Sequence, residues 1–135
     1  MRIVFIIFLL SSLVACNKSP YEGFSKTDDG LNYQLIGLGD GERNVQESDY
    51  LTIVFSYPVT KDSSRTKRLM VQLHQFKEGN TVTNTFKLMR EGDSLVSYVK
   101  RGDLFNYLLQ ANVEGKSDEL IPFHVKLETL LSKEE

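Results

Sequence analysis

Phe86-Lys87-Leu88-Met89-Arg90-Glu91-Gly92-Asp93, followed by the apolar run from Leu95 to Val99, is the stretch on which the fold turns. Val82, Phe86 and Met89 recur at spacings of four and three, which puts all three on one face of a short helix. Gly92-Asp93 stops that helix, and Leu95 to Val99 reads as a strand. A helix with one apolar stripe must bury it, and the strand that follows puts a sheet within reach.

The sequence on either side supplies that sheet. Upstream, Leu51-Thr52-Ile53-Val54-Phe55-Ser56-Tyr57 alternates, so Leu51, Ile53, Phe55 and Tyr57 share a face. Pro58 ends that run or marks an edge. Leu31 to Ile36 and Leu69 to Phe76 are further strand candidates, and the polar stretch Lys61 to Arg68 between strands reads as a loop. Downstream, Asp103 reads as the cap of a second short helix, Leu104 to Gln110. Ile121 to Leu127 alternates into a closing strand. Strands outnumber helices without regular βαβ alternation, so the expected class is α+β. The expected architecture is a twisted antiparallel sheet of about five strands with a short helix packed on one face. Leu51, Ile53, Phe55, Leu95, Phe123, Val125 and Leu127, covered by Val82, Phe86 and Met89, form its expected core. At 135 residues the chain has room for one domain.

The N-terminus is a separate matter. Met1 and Arg2 precede an unbroken apolar run, Ile3 to Leu10, and then Leu13-Val14-Ala15-Cys16. The run falls short of the ~20 apolar residues that span a bilayer and exits into polar Asn17-Lys18-Ser19-Pro20. It reads as a signal peptide, residues 1–15. Leu13-Val14-Ala15-Cys16 resembles the bacterial lipobox, which implies cleavage before Cys16 and acylation of that cysteine. Several acyl chains together anchor a protein stably, where one would not. Residues 16–28 then read as a lipidated tether and 29–135 as the folded domain. Tyr21 and Phe24 either pack on that domain or sit exposed. Asn17, rather than Asp, after the cysteine favours the outer membrane, facing the periplasm.

Much chemistry is excluded. A net charge of −2 argues against a nucleic-acid partner. The single cysteine precludes a disulfide framework and a cysteine-based zinc cluster. His74 and His124 read as surface strand residues, too far apart in sequence for a metal motif. No nucleophile elbow, P-loop or dinucleotide fingerprint is present. No metal and no cofactor is expected. Arg101-Gly102-Asp103 matches an integrin-binding tripeptide, but a helix cap is the simpler reading. Lys61, Arg65, Lys67 and Arg68 form a basic cluster, read as a charged loop with anionic lipid headgroups as the alternative contact.

The order of elements resembles the FKBP-type peptidyl-prolyl cis-trans isomerases, in a divergent, bacterial lipoprotein form. Four stretches carry the resemblance: Gly30 to Ile36 with Gly39-Asp40-Gly41, Ser48 to Phe55, Phe86 to Asp93 with the strand after it, and Ile121 to Glu128. The resemblance implies a prolyl pocket. Phe55 and Phe123 match its strand aromatics, Tyr107 or Phe105 its loop tyrosine, and Val82 stands where the family has a tryptophan. The family's Phe-Asp pair has no match beyond Asp62-Ser63-Ser64. The implied function is a membrane-anchored isomerase or foldase acting on proline-containing clients of the cell envelope. The departures leave a non-catalytic FKBP-like lipoprotein, a chaperone or assembly module, as the alternative. An unrelated small lipoprotein of another α+β fold is the third reading.

Overall fold

The structure is a computed structural model that describes residues 19–113 and 115–132. The leader 1–15 and Cys16 lie outside the described residues. Six antiparallel strands form one sheet: β1 (Ser25–Lys26), β2 (Asn32–Gly37), β3 (Tyr50–Thr60), β4 (Ser63–Gln72), β5 (Ser94–Lys100) and β6 (Leu120–Leu131). Their spatial order is β1-β2-β5-β6-β3-β4. Helix α1 (Thr81–Lys87) lies on one face. A second helix, α2, begins with one turn, Arg101–Asp103, and continues as a π-helical segment, Leu104–Leu109. This is the expected α+β architecture, with a two-residue β1 added at one edge.

The core forms as the apolar periods dictate. Leu51, Ile53, Phe55 and Tyr57 of β3 face the same side as Leu95 and Val99 of β5 and as Phe123, Val125 and Leu127 of β6. Val82, Phe86 and Met89 close over them, all buried. α1 is only 7 residues long, too short to stand alone, so its end is heavily capped. Asn80 Oδ1 accepts from Thr83 N at 2.8 Å. Asp103 Oδ2 accepts from Thr81 N at 2.8 Å and from Thr81 Oγ1 at 2.6 Å. The expected role of Asp103 is thus corrected. It lies inside the first turn of α2 and caps α1, because Arg101 already starts α2 where its N–H reaches Glu119 O.

Two other expectations change. Lys61 to Arg68 is no loop: only Lys61-Asp62 turn, and Ser63 onward is the long edge strand β4. That strand ends at Gln72, so His74 sits in a short 3₁₀ turn, Leu73–Gln75. His124 lies exposed on β6, as read.

The sheet also splits at one end. β3 pairs with β6 through Phe55↔Val125 and Ser56↔His124 and no further. Two rungs on, the same register would set Pro58 against Pro122. Neither proline has an N–H to give, so the ladder stops there. Beyond it β3 pairs with β4 alone and β6 with β5 alone as far as Leu120, so the hairpin arm parts from β6.

On the opposite face, within the stretch read as a tether, the described part packs against the sheet. Tyr21 stacks on Tyr98 of β5 with ring centroids 3.8 Å apart. Phe24 lies 5.4 Å from the same ring. Ser19 Oγ donates to Asn32 Oδ1 at 2.7 Å.

Candidate functional site

The expected pocket residues are deeply placed. Phe55, Phe123 and Val82 are 1%, 0% and 0% exposed. Their rings and methyls touch one another: Phe55 lies 5.6 Å from Phe123, and Phe123 lies 6.2 Å from Phe86 of α1. With Val82 on the helix, the neighbouring side chains close the space between α1 and the sheet. These residues are brought together, as core.

The aromatic chain does not end there. Tyr57 stands 6.1 Å from Phe55 on the same face of β3, and Phe105 of α2 meets Tyr57 edge-on at 6.5 Å. Phe105 is half-buried. Here the splayed hairpin arm and α2 leave a cleft of about 230 Å³, lined by Tyr57, Pro58, Val59, Phe105 and Leu109, with Arg65, Lys67 and Arg101 at its rim. The four-residue spacing on α2 builds this wall: Leu104 and Leu108 turn into the core, while Phe105 and Leu109 turn to the cleft. Tyr107 points elsewhere, packing on Phe76 at 5.4 Å. Of the two candidates for the loop tyrosine, the structure brings Phe105, not Tyr107, into the aromatic chain from Phe55 and Phe123.

The cleft is smaller than the ~300–1,000 Å³ usual for small-molecule sites, which suits a side chain of a passing polypeptide. Its charged groups are all cations, beside the neutral amide of Asn112. Arg101 Nε donates to Glu119 Oε2 at 3.3 Å. The Arg101-Gly102-Asp103 tripeptide is not displayed: Gly102 is buried where a Cβ would come within 2.1 Å of Ser117 Oγ, and Asp103 is spent on Thr81. Asp62 lies in the exposed hairpin turn and contributes nothing to the cleft.

Two buried carboxylates escaped the sequence reading. Asp93 accepts from Gly39 N at 2.8 Å and Arg90 N at 2.9 Å. It holds the Gly39 loop so close to Gly92 that a Cβ on Gly39 would lie 2.4 Å from Gly92 Cα. Asp49 accepts two bonds from Arg43, at 2.7 and 3.0 Å, and one from Gln46 N at 2.7 Å. Burial pushes the Asp49 carboxyl up, but the Arg43 guanidinium and the Gln46 N–H outweigh it and hold it below its ordinary value. Both acids brace loops rather than the cleft. An acid before or after a glycine or strand start was the available signal. Among the described residues no group of acids, histidines or cysteines is placed to hold a metal, and no helix is long and apolar enough to cross a membrane.

The sequence matches no family profile and no curated protein. Solved structures do match. The structure of FkpA from Escherichia coli superposes with a TM-score of 0.63 at 17% identity, over 84% of this chain and 54% of that one. The N-terminal domain of FKBP42 from Arabidopsis thaliana gives 0.59 at 14% identity, over 86% and 99%. A peptidyl-prolyl cis-trans isomerase from Pseudomonas syringae pv. tomato gives 0.56 at 16% identity, over 84% of each chain. This chain therefore spans about half the length of FkpA and most of the other two.

Proposed function

With the fold of the FKBP-type peptidyl-prolyl isomerases as premise, we propose that this chain is a foldase of the bacterial cell envelope that takes proline-containing segments of client polypeptides into the cleft between Tyr57 and Phe105. The observation that carries this reading is the continuous aromatic chain from Phe86 through Phe123, Phe55 and Tyr57 to Phe105, which opens to solvent only at the cleft. The chemistry asked of such a site is modest. Resonance holds the X-Pro amide planar behind a barrier of about 18–20 kcal/mol. The twisted amide at the top of that barrier has lost resonance and polarity. An apolar aromatic wall favours it over the planar form, which is differential binding of the transition state. Uncatalysed isomerisation takes tens to hundreds of seconds, slow enough for a catalyst to matter to a folding client.

Cleavage before Cys16 and acylation of that residue would tether the domain to the membrane, in the outer membrane and facing the periplasm. The lipobox-like Leu13-Val14-Ala15-Cys16 supports this part of the proposal.

Burial of Phe55, Phe123 and Val82 favours a second reading, in which the cleft holds a client segment without turning it. A protease-coupled isomerisation assay on the full-length chain in detergent separates the two. Acceleration that Phe105→Ala removes supports the isomerase. A rate equal to the uncatalysed control across several residues before proline sinks it. Suppression of client aggregation that Phe105→Ala abolishes would then establish the holding role.

A further inference from the structure

We infer that the segment received by the cleft is extended and acidic: it adds to the free edge of β4 as a further strand and sets its carboxylates on Arg65 and Lys67. This deepens the proposed function and rests on its placing of the client in the cleft. The first ground is the edge itself. β4 is the last strand in the sheet order, and no described residue pairs with its far side. In an antiparallel ladder alternate residues turn their N–H and C=O away from the partner. The Ser63–Gln72 edge is therefore a template for an incoming strand.

The second ground is sidedness. The register Tyr57↔Arg65 and Phe55↔Lys67 puts both cations on the cleft side of β4. They stand two residues apart, the repeat at which one face of an added strand presents its side chains. Arg68 lies on the other face, where its guanidinium holds Glu128 at 2.9 Å. The basic run that looks like one cluster in sequence is thus divided between two faces. Arg65 and Lys67 make no ion pair with any described residue, whereas Arg101 across the cleft has Glu119. The whole chain carries −2, so this positive rim is local. Cations that flank a groove, with a third turned away and neutralised, suit a peptide better than a flat lipid surface. The segment's carboxylates would then share the cleft face with Arg65, Lys67 and Tyr57, and the residues between them would turn to the opposite face of the sheet.

The test uses the full-length chain in a zwitterionic detergent and a fluorescent peptide alternating valine and glutamate, read by anisotropy. The expected result is binding about tenfold or more tighter than that of the valine–lysine counterpart, weakening as salt rises. Arg65→Glu and Lys67→Glu should each reduce it several-fold. Lys126→Glu, exposed on the opposite face of β6, should leave it unchanged. If a charge-reversed variant fails to fold by circular dichroism, Arg65→Gln and Lys67→Gln replace it, with the same direction of loss. N-methylation of alternate peptide nitrogens should abolish binding if main-chain pairing carries it. Equal affinity for the two peptides would overturn the inference, as would indifference to N-methylation. So would loss of binding to phosphatidylglycerol vesicles in the variants while peptide binding persists. Client isomerisation or holding that shows no preference for acid would sink this inference and leave the proposed function standing. Acidic-peptide binding with neither activity would support the inference and sink the proposed function.

Discussion

At the residue scale, the strongest commitments are polar groups inside an apolar frame. Asp49 is charged and buried, and its partners lower its proton affinity in the folded state. Such a group stabilises the fold at neutral pH. That contribution is lost as pH falls from the ordinary carboxyl value of 3.8 down through the lowered one. Asp49→Asn should cost about 1–2 kcal/mol at neutral pH, because Arg43, 40% exposed on its side chain, re-solvates once unpaired. It should also flatten the acid limb of stability, seen as urea midpoints between pH 6 and pH 3. Thr85 and Ser97 offer an asymmetric pair between α1 and β5. Thr85 Oγ1 donates to Thr81 O at 2.8 Å, so the Ser97 hydroxyl must be the donor in their own 2.8 Å contact. Thr85→Val strands a buried Ser97 hydroxyl and should cost about 1–3 kcal/mol, whereas Ser97→Ala leaves Thr85 bonded and should cost under about 1 kcal/mol. Equal costs in denaturant melts would contradict this assignment of the protons.

At the element scale, the two facing prolines decide where the sheet opens. Replacing both, Pro58→Val with Pro122→Val, restores two backbone donors and β-branched side chains. The β3–β6 ladder should then extend by at least one rung, and the Phe105-dependent capture of clients should fall. Protection from hydrogen exchange at the two restored amides, positions 58 and 122, reports the new pairing, because Tyr57 and Phe123 already turn theirs to β4 and β5; rapid exchange at both would mean that something other than proline holds the strands apart. Asp103→Ala should cost about 1 kcal/mol, since it uncaps Thr81 of α1 and frees α2 in one step. This scale also shows what sequence could tell. α1 and β3 were legible because each buries one face against the core, so Val82, Phe86 and Met89, and Leu51 to Tyr57, show their periods. The first part of β4 was not, because Ser63 to Arg68 lies at an edge, largely exposed, and has no apolar period to show. The π-helical turn of α2 was equally hidden: Leu104 with Leu108 and Phe105 with Leu109 repeat every four residues, a spacing an α-helix also satisfies. The cleft followed these two gaps, for it is built where the misread arm meets a helix whose π-helical turn was not foreseen, while Phe55 and Phe123 were placed in the core by their alternation and Val82 by its helical spacing.

At the scale of the whole molecule, stability and the proposed client capture sit at opposite ends of one aromatic chain. Phe123→Ala should cost about 3–5 kcal/mol through the cavity it leaves, while Phe105→Ala, at the half-buried end, should cost less and still abolish capture. Thermal melts beside the client assays separate the two effects, and equal destabilisation would place Phe105 in the core. Cys16→Ala should move the chain from the membrane to the soluble fraction; continued membrane partition would contradict the proposed lipid. The packing of Tyr21 on Tyr98 then acquires a mechanical meaning. Tyr98 lies on the sheet face opposite Ser97 and α1, and the cleft opens on the α1 side. Between Cys16 and Ser19 only three peptide links remain, a reach of about 10 Å at full extension. A lipid at Cys16 would therefore hold the domain against the bilayer surface by its Tyr21–Tyr98 side. The cleft would look outward into the aqueous compartment, at a height set by the thickness of one sheet and one helix layer.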